Sequence, residues 1–560
     1  EIASCLVGSE MCIRDRNIYI LTATALLTLF TGCSDFLNQD LKSDIPGADY
    51  YGTAEGFESL SNAAYSSLRT IYGGDPWLFE GGTDLFATGR TSVPTCNLYS
   101  NAYSAAEENV QTFYTNHYKA ISLTNEVIYW GEKEASRAGR IDEARGLRAL
   151  FYLNLVQQFG GVPMITERSA TPITGIARSS ATDVYGFIIS EMGALSTSVN
   201  LPESATDGRF NRKAAYHYLA KALLSRGYLT NNDQDYRDAI TAANAAGAGA
   251  ALTTSFPTLF SNAGEGNAEV LFSVVYNVAT VNDPKADGNK QQAHFCDYLD
   301  GQEKGHKYTS STLTPTLWMH EVFNTNTSSP NLDIRYESTF MTELRQSYWD
   351  YYDDNKNTSA VTYYYCPSWE IENVDAWRAA LPSRANAQVV EMLPMGTNIN
   401  GDETSYETKM KEDVYGVASF RKFDDTENGR TYFSTTSSMR DIYLARLAET
   451  NLIAAEAYVK LNDGTNAARY INIVRNRANA TLATASEMNI DYILNERARE
   501  LAGEYHRFAD LTRTGKLSEY AKAHNPDINS DIDSKFNLRP IPLAAMELNP
   551  ALEGDQNPKW

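Results

Sequence analysis

The sequence lacks the short motifs that mark several common enzyme sites. The patterns HExxH, GxSxG and GxxxxGKS/T are absent, and histidine and cysteine do not cluster. These patterns belong to zinc proteases, serine hydrolases and nucleotide-binding loops, respectively. The sequence therefore gives no indication of these three classes of protein.

Cysteine is scarce and widely spaced. The six cysteines are Cys5, Cys12, Cys33, Cys96, Cys296 and Cys366. No two of them form a CxxC pair of the kind that binds zinc, and the three beyond residue 90 are an odd number at wide spacing. We therefore expect neither a zinc site nor a disulfide framework.

Basic side chains are fewer than acidic ones. The chain has 48 Lys and Arg against 70 Asp and Glu, a net charge of −22 at pH 7. This balance argues against binding to nucleic acid, which requires a basic surface that displaces counterions. It also argues against electrostatic docking on anionic lipid, so any membrane attachment should be covalent.

Long apolar runs are missing except near the start of the chain. The run Ile18–Phe30 is too short to cross a bilayer of about 30 Å as a helix, and Arg14 and Arg16 give it the positive flank of a secretory signal. The residues Thr31-Gly32-Cys33 that follow resemble the lipobox of bacterial lipoproteins, in which the cysteine carries the lipid. This pattern predicts lipidation of Cys33; the alternative is an ordinary signal peptide with an incidental cysteine.

The first residues precede this signal. The chain starts without methionine, and Glu1–Arg16 reads as neither targeting nor globular sequence, so we expect residues 1–16 to be an artefact. We expect residues 1–32 to be removed. No Pro-, Gly- or Ser-rich linker divides the remainder, so residues 33–560 are predicted to form a single domain.

Helical spacing of apolar residues dominates the pattern. The predicted helices are Gly56–Leu68, Val110–Ile128, Glu143–Phe159, Thr182–Leu195, Asn211–Leu229, Ile442–Leu461, Ala467–Ala478 and Ile493–Leu501. Several have the length and the small-and-aromatic composition of paired tetratricopeptide helices, although their spacing is irregular. The sequence predicts a mainly α fold.

The middle of the chain has a different character. Val270–Tyr276 reads as a buried strand, and loops rich in Asn, Asp, Thr and aromatic residues follow it. We expect a helical scaffold at about residues 45–230 and 440–520, with a loop-rich insertion at about residues 265–435 that contains a few short strands.

Several stretches resemble the SusD/RagB family. They are Cys33–Leu37, Glu143–Leu150, Phe159–Pro163, Tyr443–Glu449, Ala454–Ala457, Ile493–Leu501, Glu504–Leu511, Arg513–Leu517, Pro540–Pro542, Asn549-Pro550 and Gln556–Pro558. The resemblance implies an outward-facing outer-membrane lipoprotein that captures glycan for a SusC-like TonB-dependent transporter. It also implies four tetratricopeptide-like helix pairs that support an irregular ligand-binding half.

Loop aromatics with polar neighbours are the candidate sugar contacts, because a sugar ring stacks on a flat side chain while its hydroxyls need polar partners. The first candidate set is Asn97, Tyr99, Asn101 and Tyr103, in a segment where the family places part of its glycan site. The second set is Tyr298 and Tyr308 with Asp297 and His306, and the third is Trp349, Tyr351 and Tyr352. Trp318 is interpreted as core.

The carboxylates of the predicted helices are interpreted as structural. Glu496 and Glu500 lie one helical turn apart beside arginines, which favours an ion-pair network over a catalytic pair. Glu449 and Glu456 are expected to hydrogen-bond neighbouring helix ends.

A calcium-loop pattern starts at Asp283 but is incomplete. It has Lys285 at its third position and His294 where the closing Glu belongs. We predict no cofactor and no metal, although a structural calcium ion elsewhere stays open.

These observations predict a binding protein without catalytic activity. It would sit on the cell surface, attached to the outer membrane through lipid, with a glycan and a SusC-like transporter as partners and no nucleic acid. Two alternatives stay open: a partner of such a transporter that binds peptide or another nutrient, and a cell-surface enzyme that acts on glycans.

Overall fold

Helices are the predominant secondary structure in the computed structural model, which describes residues 47–89, 93–169, 174–284, 286–296, 312–324, 333–346, 359–393, 418–427, 437–528 and 531–560. The helices are α1 Gly47–Gly52, α2 Ala54–Tyr72, α3 Thr95–Leu98, α4 Glu108–Gly131, α5 Ala138–Phe159, α6 Ala181–Ser196, α7 Arg212–Thr230, α8 Asp233–Ala246, α9 Phe256–Leu259, α10 Gln291–Phe295, α11 Leu317–Glu321, α12 Arg335–Thr339, α13 Val374–Ala380, α14 Leu447–Lys460, α15 Gly464–Arg477, α16 Ile490–Leu501, α17 Arg507–Arg513, α18 Leu517–His524 and α19 Leu543–Leu548. The strands are β1 Phe86–Thr88, β2 Val270–Val274, β3 Leu313–Pro315, β4 Phe340–Met341, β5 Glu343–Arg345, β6 Val361–Pro367, β7 Gln388–Met392, β8 Ser419–Phe420 and β9 Ile442–Arg446.

The long helices pack side by side in one continuous row. Helix α2 packs on α4, α5 on α6, α7 on α8 and α14 on α15, and these four pairs contact one another in that order. This arrangement confirms the predicted mainly α fold with tetratricopeptide-like helix pairs. None of the helices in the described part of the chain is long and apolar enough to cross a membrane.

Local sequence explains where these helices begin and which face they bury. Thr53 caps α2 by accepting a hydrogen bond from the Gly56 amide, and Asn211 caps α7 in the same way with the Ala214 amide. In α2, Phe57 opens a buried stripe that repeats every three to four residues. In α2, the face that carries the periodic apolar residues is therefore the face that packs.

An insertion leaves the row after α8 and returns at α14. Its two ends are tied together by β2 and β9, which pair antiparallel with Val270 opposite Arg446 and Val274 opposite Ile442. Elsewhere β1 pairs with β3, β4 with β8, and β5–β6–β7 form a three-stranded sheet in which β6 and β7 are parallel. The few short strands predicted for the insertion are present.

Two element predictions were wrong. The helix expected from Ile442 begins only at Leu447, because Ile442–Arg446 pairs with β2; a short apolar run fits either a strand or a helix, and the pairing decides. The helical scaffold also extends past residue 230, since α8 continues the row to Ala246. Its buried face consists largely of alanines, which give a weak apolar pattern.

Candidate functional site

Three of the four ligand contacts predicted within residues 97–103 are buried. Asn97, Tyr99 and Tyr103 have 2% to 5% of their surface exposed, whereas Asn101 is exposed. A sugar needs an open ring face, so burial of both tyrosines argues against direct stacking. We correct the expectation for Asn97, Tyr99 and Tyr103, to which we assign a supporting role; for Asn101, ligand contact stays a prediction.

Residues near the C-terminus cover these tyrosines. The Tyr103 ring lies 4.6 Å from the Trp560 ring and 6.1 Å from Phe536, and Tyr99 lies 5.0 Å from Phe536, between ring centroids. The Arg539 Nη1 donates to the Tyr103 hydroxyl at 3.4 Å, across 436 residues of sequence. Burial raises the pKa of both tyrosines above their usual value. This packing could not be read from residues 97–103 alone.

Asn97 supports the loop that follows α2. Its Nδ2 donates to the Trp77 carbonyl oxygen at 2.7 Å, and the Tyr99 hydroxyl donates to the Gly82 carbonyl oxygen at 2.9 Å. Gly81 packs directly on Asn97, since an added Cβ would lie 2.4 Å from Nδ2. These contacts hold Trp77 in place.

Helix α10 of the insertion reaches Trp77 from the other side. The His294 ring lies edge-on to the Trp77 ring, with 5.0 Å between centroids, and its Nε2 lies 3.0 Å from Asp75 Oδ1. The Lys290 Nζ lies 3.4 Å from the same oxygen. We call Asp75, Trp77, Lys290 and His294 the Trp77 corner.

Hydrogen bonds fix the start of α10 against α2. The Lys290 amide donates to the Gly73 carbonyl oxygen at 3.0 Å. The Asn289 Nδ2 donates to the Arg440 carbonyl oxygen at 2.7 Å, and its Oδ1 accepts from the Gln291 amide at 3.1 Å. The Trp77 corner therefore has a rigid base although its two halves are far apart in sequence.

The corner presents charged groups to solvent. The side chains of Asp75 and Lys290 are 43% and 55% exposed. The hydrogen bond from His294 lowers the pKa of Asp75 to about 2, against the opposite effect of partial burial. Asp75 is therefore an ionised acceptor at neutral pH, next to the Lys290 ammonium as a donor.

The other predicted ligand residues lie outside the described part of the chain. They are Asp297, Tyr298, His306, Tyr308, Trp349, Tyr351 and Tyr352, and Cys33 lies outside it as well. Their roles stay predictions. The chain enters the segment of Tyr298 directly after α10, the helix that carries His294.

Sequence reasoning missed the residues of the Trp77 corner. The available signal was the run Gly73–Trp77, which places an aspartate and a tryptophan directly after a strong helix. Its partner His294 lies 219 residues from Asp75, and no local pattern joins the two.

The carboxylates interpreted as structural are buried in ion pairs. Arg335 Nη1 lies 2.8 Å from Glu496 Oε1 and 2.9 Å from Glu500 Oε2, and Arg446 Nη1 lies 2.5 Å from Glu500 Oε1. Burial alone would raise the pKa of both glutamates, but the surrounding guanidiniums outweigh it and hold the pKa below its usual range. The predicted ion-pair network is confirmed.

Glu449 and Glu456 also have ionic partners. Glu449 lies 3.0 Å from His217 Nε2 and 2.8 Å from Lys221 Nζ, and Glu456 lies 2.9 Å from Arg513 Nη2. These contacts, and that of Glu449 with Arg497 of α16, are ion pairs with side chains; the hydrogen bonds to helix ends that the sequence suggested are replaced by them. Both carboxylates are fully buried and cannot reach a substrate.

Asp287 closes its own loop. Its Oδ2 accepts hydrogen bonds from the Asn282 and Asp283 amides at 3.1 and 2.9 Å. Within the described ranges, no three His, Cys, Asp or Glu side chains form a group that could hold a metal ion. A calcium site elsewhere in the chain stays an open question.

Comparison with known proteins now identifies the family. The family model described as "SusD family" matches residues 268–560, more than half of the chain. The chain belongs to the SusD family. A second SusD-like model, described as "Starch-binding associating with outer membrane", matches residues 57–224. The Trp77 corner joins the two matched stretches. Asp75 and Trp77 lie within residues 57–224, and Lys290 and His294 lie within residues 268–560.

Relatives cover nearly the whole chain. A SusD-like protein P25 from Formosa agariphila is 24% identical, over 93% of this chain and 94% of the relative. Among solved SusD-family structures, a SusD homolog from Bacteroides thetaiotaomicron has a TM-score of 0.67 at 18% identity, covering 92% of this chain and 99% of its own. Surface glycan-binding protein A from the same species, solved with laminarihexaose, has a TM-score of 0.63 at 18% identity, covering 90% and 99%. These structures share the SusD fold with this chain.

Proposed function

We propose that this protein captures a glycan at the cell surface and passes it, uncleaved, to a SusC-like TonB-dependent transporter. The Trp77 corner carries the proposal, because it places an exposed carboxylate and an exposed ammonium on a fixed base. Sugar hydroxyls pair with such groups. Trp77 itself is 8% exposed, so we expect the stacking rings to come from Tyr298 and Tyr308 in the segment after α10.

The names of related proteins support a glycan as the ligand. One matching family model is described as starch-binding, and one solved structure with this fold holds laminarihexaose. Together with the polar and aromatic character of the corner, these relatives favour a glycan over a peptide.

The proposed absence of catalysis rests on the carboxylates. A glycosidase needs two carboxyl groups about 5–10 Å apart across the scissile bond. The Trp77 corner contributes one accessible carboxylate, Asp75, whereas Glu80 in the same loop is fully buried. We therefore assign Asp75 to binding.

The proposed location rests on Cys33 and on the family. The matching description "associating with outer membrane" supports that membrane as the site. A lipid on Cys33 would tether the chain there, and its strong negative charge disfavours attachment to anionic lipid by charge alone.

The proposal is tested by titrating the purified protein with a glycan panel in a calorimeter and analysing each glycan afterwards for cleavage. We expect one class to bind and to be recovered intact. The double variant Asp75→Ala/Lys290→Ala should weaken that binding by at least about a hundredfold, because it removes two charged hydrogen bonds that each contribute about 1.5–3 kcal/mol.

The matched control is Asp233→Ala/Arg237→Ala. It removes a similarly exposed ion pair, with 3.7 Å between the charged groups, from α8. It should leave glycan affinity unchanged. Release of shortened glycan with turnover would favour the enzyme alternative, and binding of peptides but of no glycan would favour the peptide alternative; either result would overturn the proposal.

A further inference from the structure

A cleft lies beside the Trp77 corner, between α2 and β2. It has a volume of about 440 Å³, within the range of ligand-binding pockets, and its polar lining includes Asn62, Tyr65, Arg69, Asp207, Arg209 and Thr280. The described residues that line it carry two guanidiniums and one carboxylate. This excess of positive charge stands out in a chain with a net charge of −22.

Arg69 has only neutral hydrogen-bond partners within the described residues. Its Nε and Nη2 donate to the Val275 carbonyl oxygen at 3.2 and 2.7 Å, and Nη2 also donates to Thr280 Oγ1 at 3.1 Å. Its guanidinium lies over the Tyr276 ring, 4.8 Å from the centroid. These contacts do not use Nη1, which is therefore available to a ligand. None of these hydrogen-bond partners is a carboxylate.

Arg209 is held in a comparable way on the other side of the cleft. Its guanidinium lies 4.7 Å from the Tyr65 ring centroid, and its Nη2 donates to Asn62 Oδ1 at 3.1 Å. Its Nη1 donates to Glu143 Oε2 at 3.2 Å, so this charge is partly compensated. Asp207 Oδ1 accepts from the Arg209 backbone amide at 3.1 Å and adds the one carboxylate of the lining.

The cleft adjoins the Trp77 corner through the end of α2. Arg69 is in the last turn of this helix, and Gly73 follows it. The Tyr276 side chain that carries Arg69 also packs on Gly73, where an added Cβ would lie 2.0 Å from its hydroxyl, and the Lys290 amide binds the Gly73 carbonyl oxygen. One extended ligand could therefore contact both places.

We infer that this cleft binds an acidic sugar unit, through a carboxylate or a sulfate ester, of the glycan that the Trp77 corner binds. The inference rests on the proposed function and narrows its substrate class to acidic glycans. A planar guanidinium held on an aromatic ring presents its remaining N–H groups in a fixed direction, which suits the oxygens of either anion.

The test uses pairs of polysaccharides that share a backbone, measured by retardation of the protein in native gels that contain them. Polygalacturonate with methyl-esterified pectin tests the carboxylate, and dextran sulfate with dextran tests the sulfate. Because the protein is acidic, charge alone would repel it from both acidic polymers. We expect at least one acidic polymer to retard the protein about tenfold more strongly than its neutral counterpart.

The variant Arg69→Gln/Arg209→Gln should abolish that preference, so that each acidic polymer retards it no more strongly than the neutral counterpart does. Arg237→Gln, which changes the net charge by the same sign on α8 outside the cleft, should keep the preference. Asp207→Asn removes the carboxylate of the cleft and should strengthen binding to the acidic polymer about threefold, a gain that unfolding cannot mimic.

Equal binding of neutral and acidic polymers would overturn the inference and leave the proposed function standing. A preference for acidic polymer that survives Arg69→Gln/Arg209→Gln, or fails to rise in Asp207→Asn, would also overturn it. Absence of binding to every polymer in this panel and in the calorimetric panel would overturn both.

Discussion

Trp77 keeps its position through contacts with two separate parts of the chain. Asn97 binds its carbonyl oxygen, and His294 lies against its ring. We propose that Asn97 and Tyr99, which the sequence suggested as ligand contacts, act on the candidate site through the loop they support. The burial of Tyr99 depends on Phe536, near the C-terminus, which no local pattern reveals.

A substitution at Gly81 tests whether Asn97 supports the loop that carries Trp77. Gly81→Ala would force Asn97 away from the loop, because the new Cβ would lie 2.4 Å from its Nδ2. We expect a loss of about 1–3 kcal/mol in the free energy of unfolding, measured by urea denaturation, together with weaker glycan binding. As a control, Gly193→Ala on α6 adds a Cβ with nothing within 4 Å and should be neutral or stabilising by up to about 1 kcal/mol. Equal stability of the two variants would contradict the supporting role.

Glu80 is fully buried in the same loop, and we expect it to make the stability of the protein depend on pH. Burial raises its pKa from 4.5 to about 8, so between these values the unfolded chain releases this proton more readily than the folded one. Its contribution to stability is therefore greatest below pH 4.5 and declines up to pH 8. Glu80→Gln should remove this decline, and its advantage over the wild type should grow by up to about 1.4 kcal/mol per pH unit within this window. Parallel stability curves for the two proteins between pH 5 and pH 8 would contradict it.

At the scale of elements, β9 and α16 are joined by buried charge. Arg446, the last residue of β9, contacts Glu500 at 2.5 Å, Glu504 at 2.6 Å and Glu269 at 3.2 Å. This network fastens the returning end of the insertion to the helical row. That Glu500 forms ion pairs was predictable from its helix. Its partners Arg335, Arg446 and Arg477 were not, because they lie on other elements.

Arg446→Leu should therefore be strongly destabilising. It leaves three buried carboxylates short of a counter-charge, for which a loss of about 3–5 kcal/mol is expected. Chemical denaturation followed by circular dichroism measures the loss, with the exposed Arg237→Leu as a control that should change stability by no more than about 0.5 kcal/mol. A loss below about 1 kcal/mol for Arg446→Leu would show that the network does not hold the insertion.

Sequence periodicity was informative wherever a helix buries large apolar residues on one face. It located α2, α4, α5, α6 and α7 closely, but it failed for Ile442–Arg446 and for the alanine-rich face of α8. The prediction fails for β9 because only the pairing with β2 distinguishes this run from a helix. It fails for α8 because small side chains contribute little to a periodic pattern.

At the scale of the whole molecule, a continuous helical row supports an insertion that contributes one half of the candidate site. The row supplies Asp75 and Trp77, and the insertion supplies Lys290 and His294. The fold class could be predicted because many short resemblances occur in a consistent order. The Trp77 corner could not, because it exists only after residues more than 200 positions apart have been brought together.

The proposed lipid anchor determines where the whole molecule is located. Cys33→Ala should release the protein from the outer membrane into the soluble fraction, since no other residue is proposed to carry lipid and the net charge of −22 opposes binding to anionic lipid. Membrane fractionation with immunodetection measures this, and the neighbouring change Ser34→Ala should leave the protein in the membrane. A Cys33→Ala protein that stays in the outer-membrane fraction would contradict lipid anchoring at this residue.

The most direct test of the central claim is a crystal structure of the protein with a glycan that it binds in solution. We predict an intact oligosaccharide with hydroxyl groups within hydrogen-bond distance, about 2.7–3.2 Å, of Asp75 and Lys290. Sugar bound elsewhere with the Trp77 corner empty, or a cleaved glycan in the site, would contradict it.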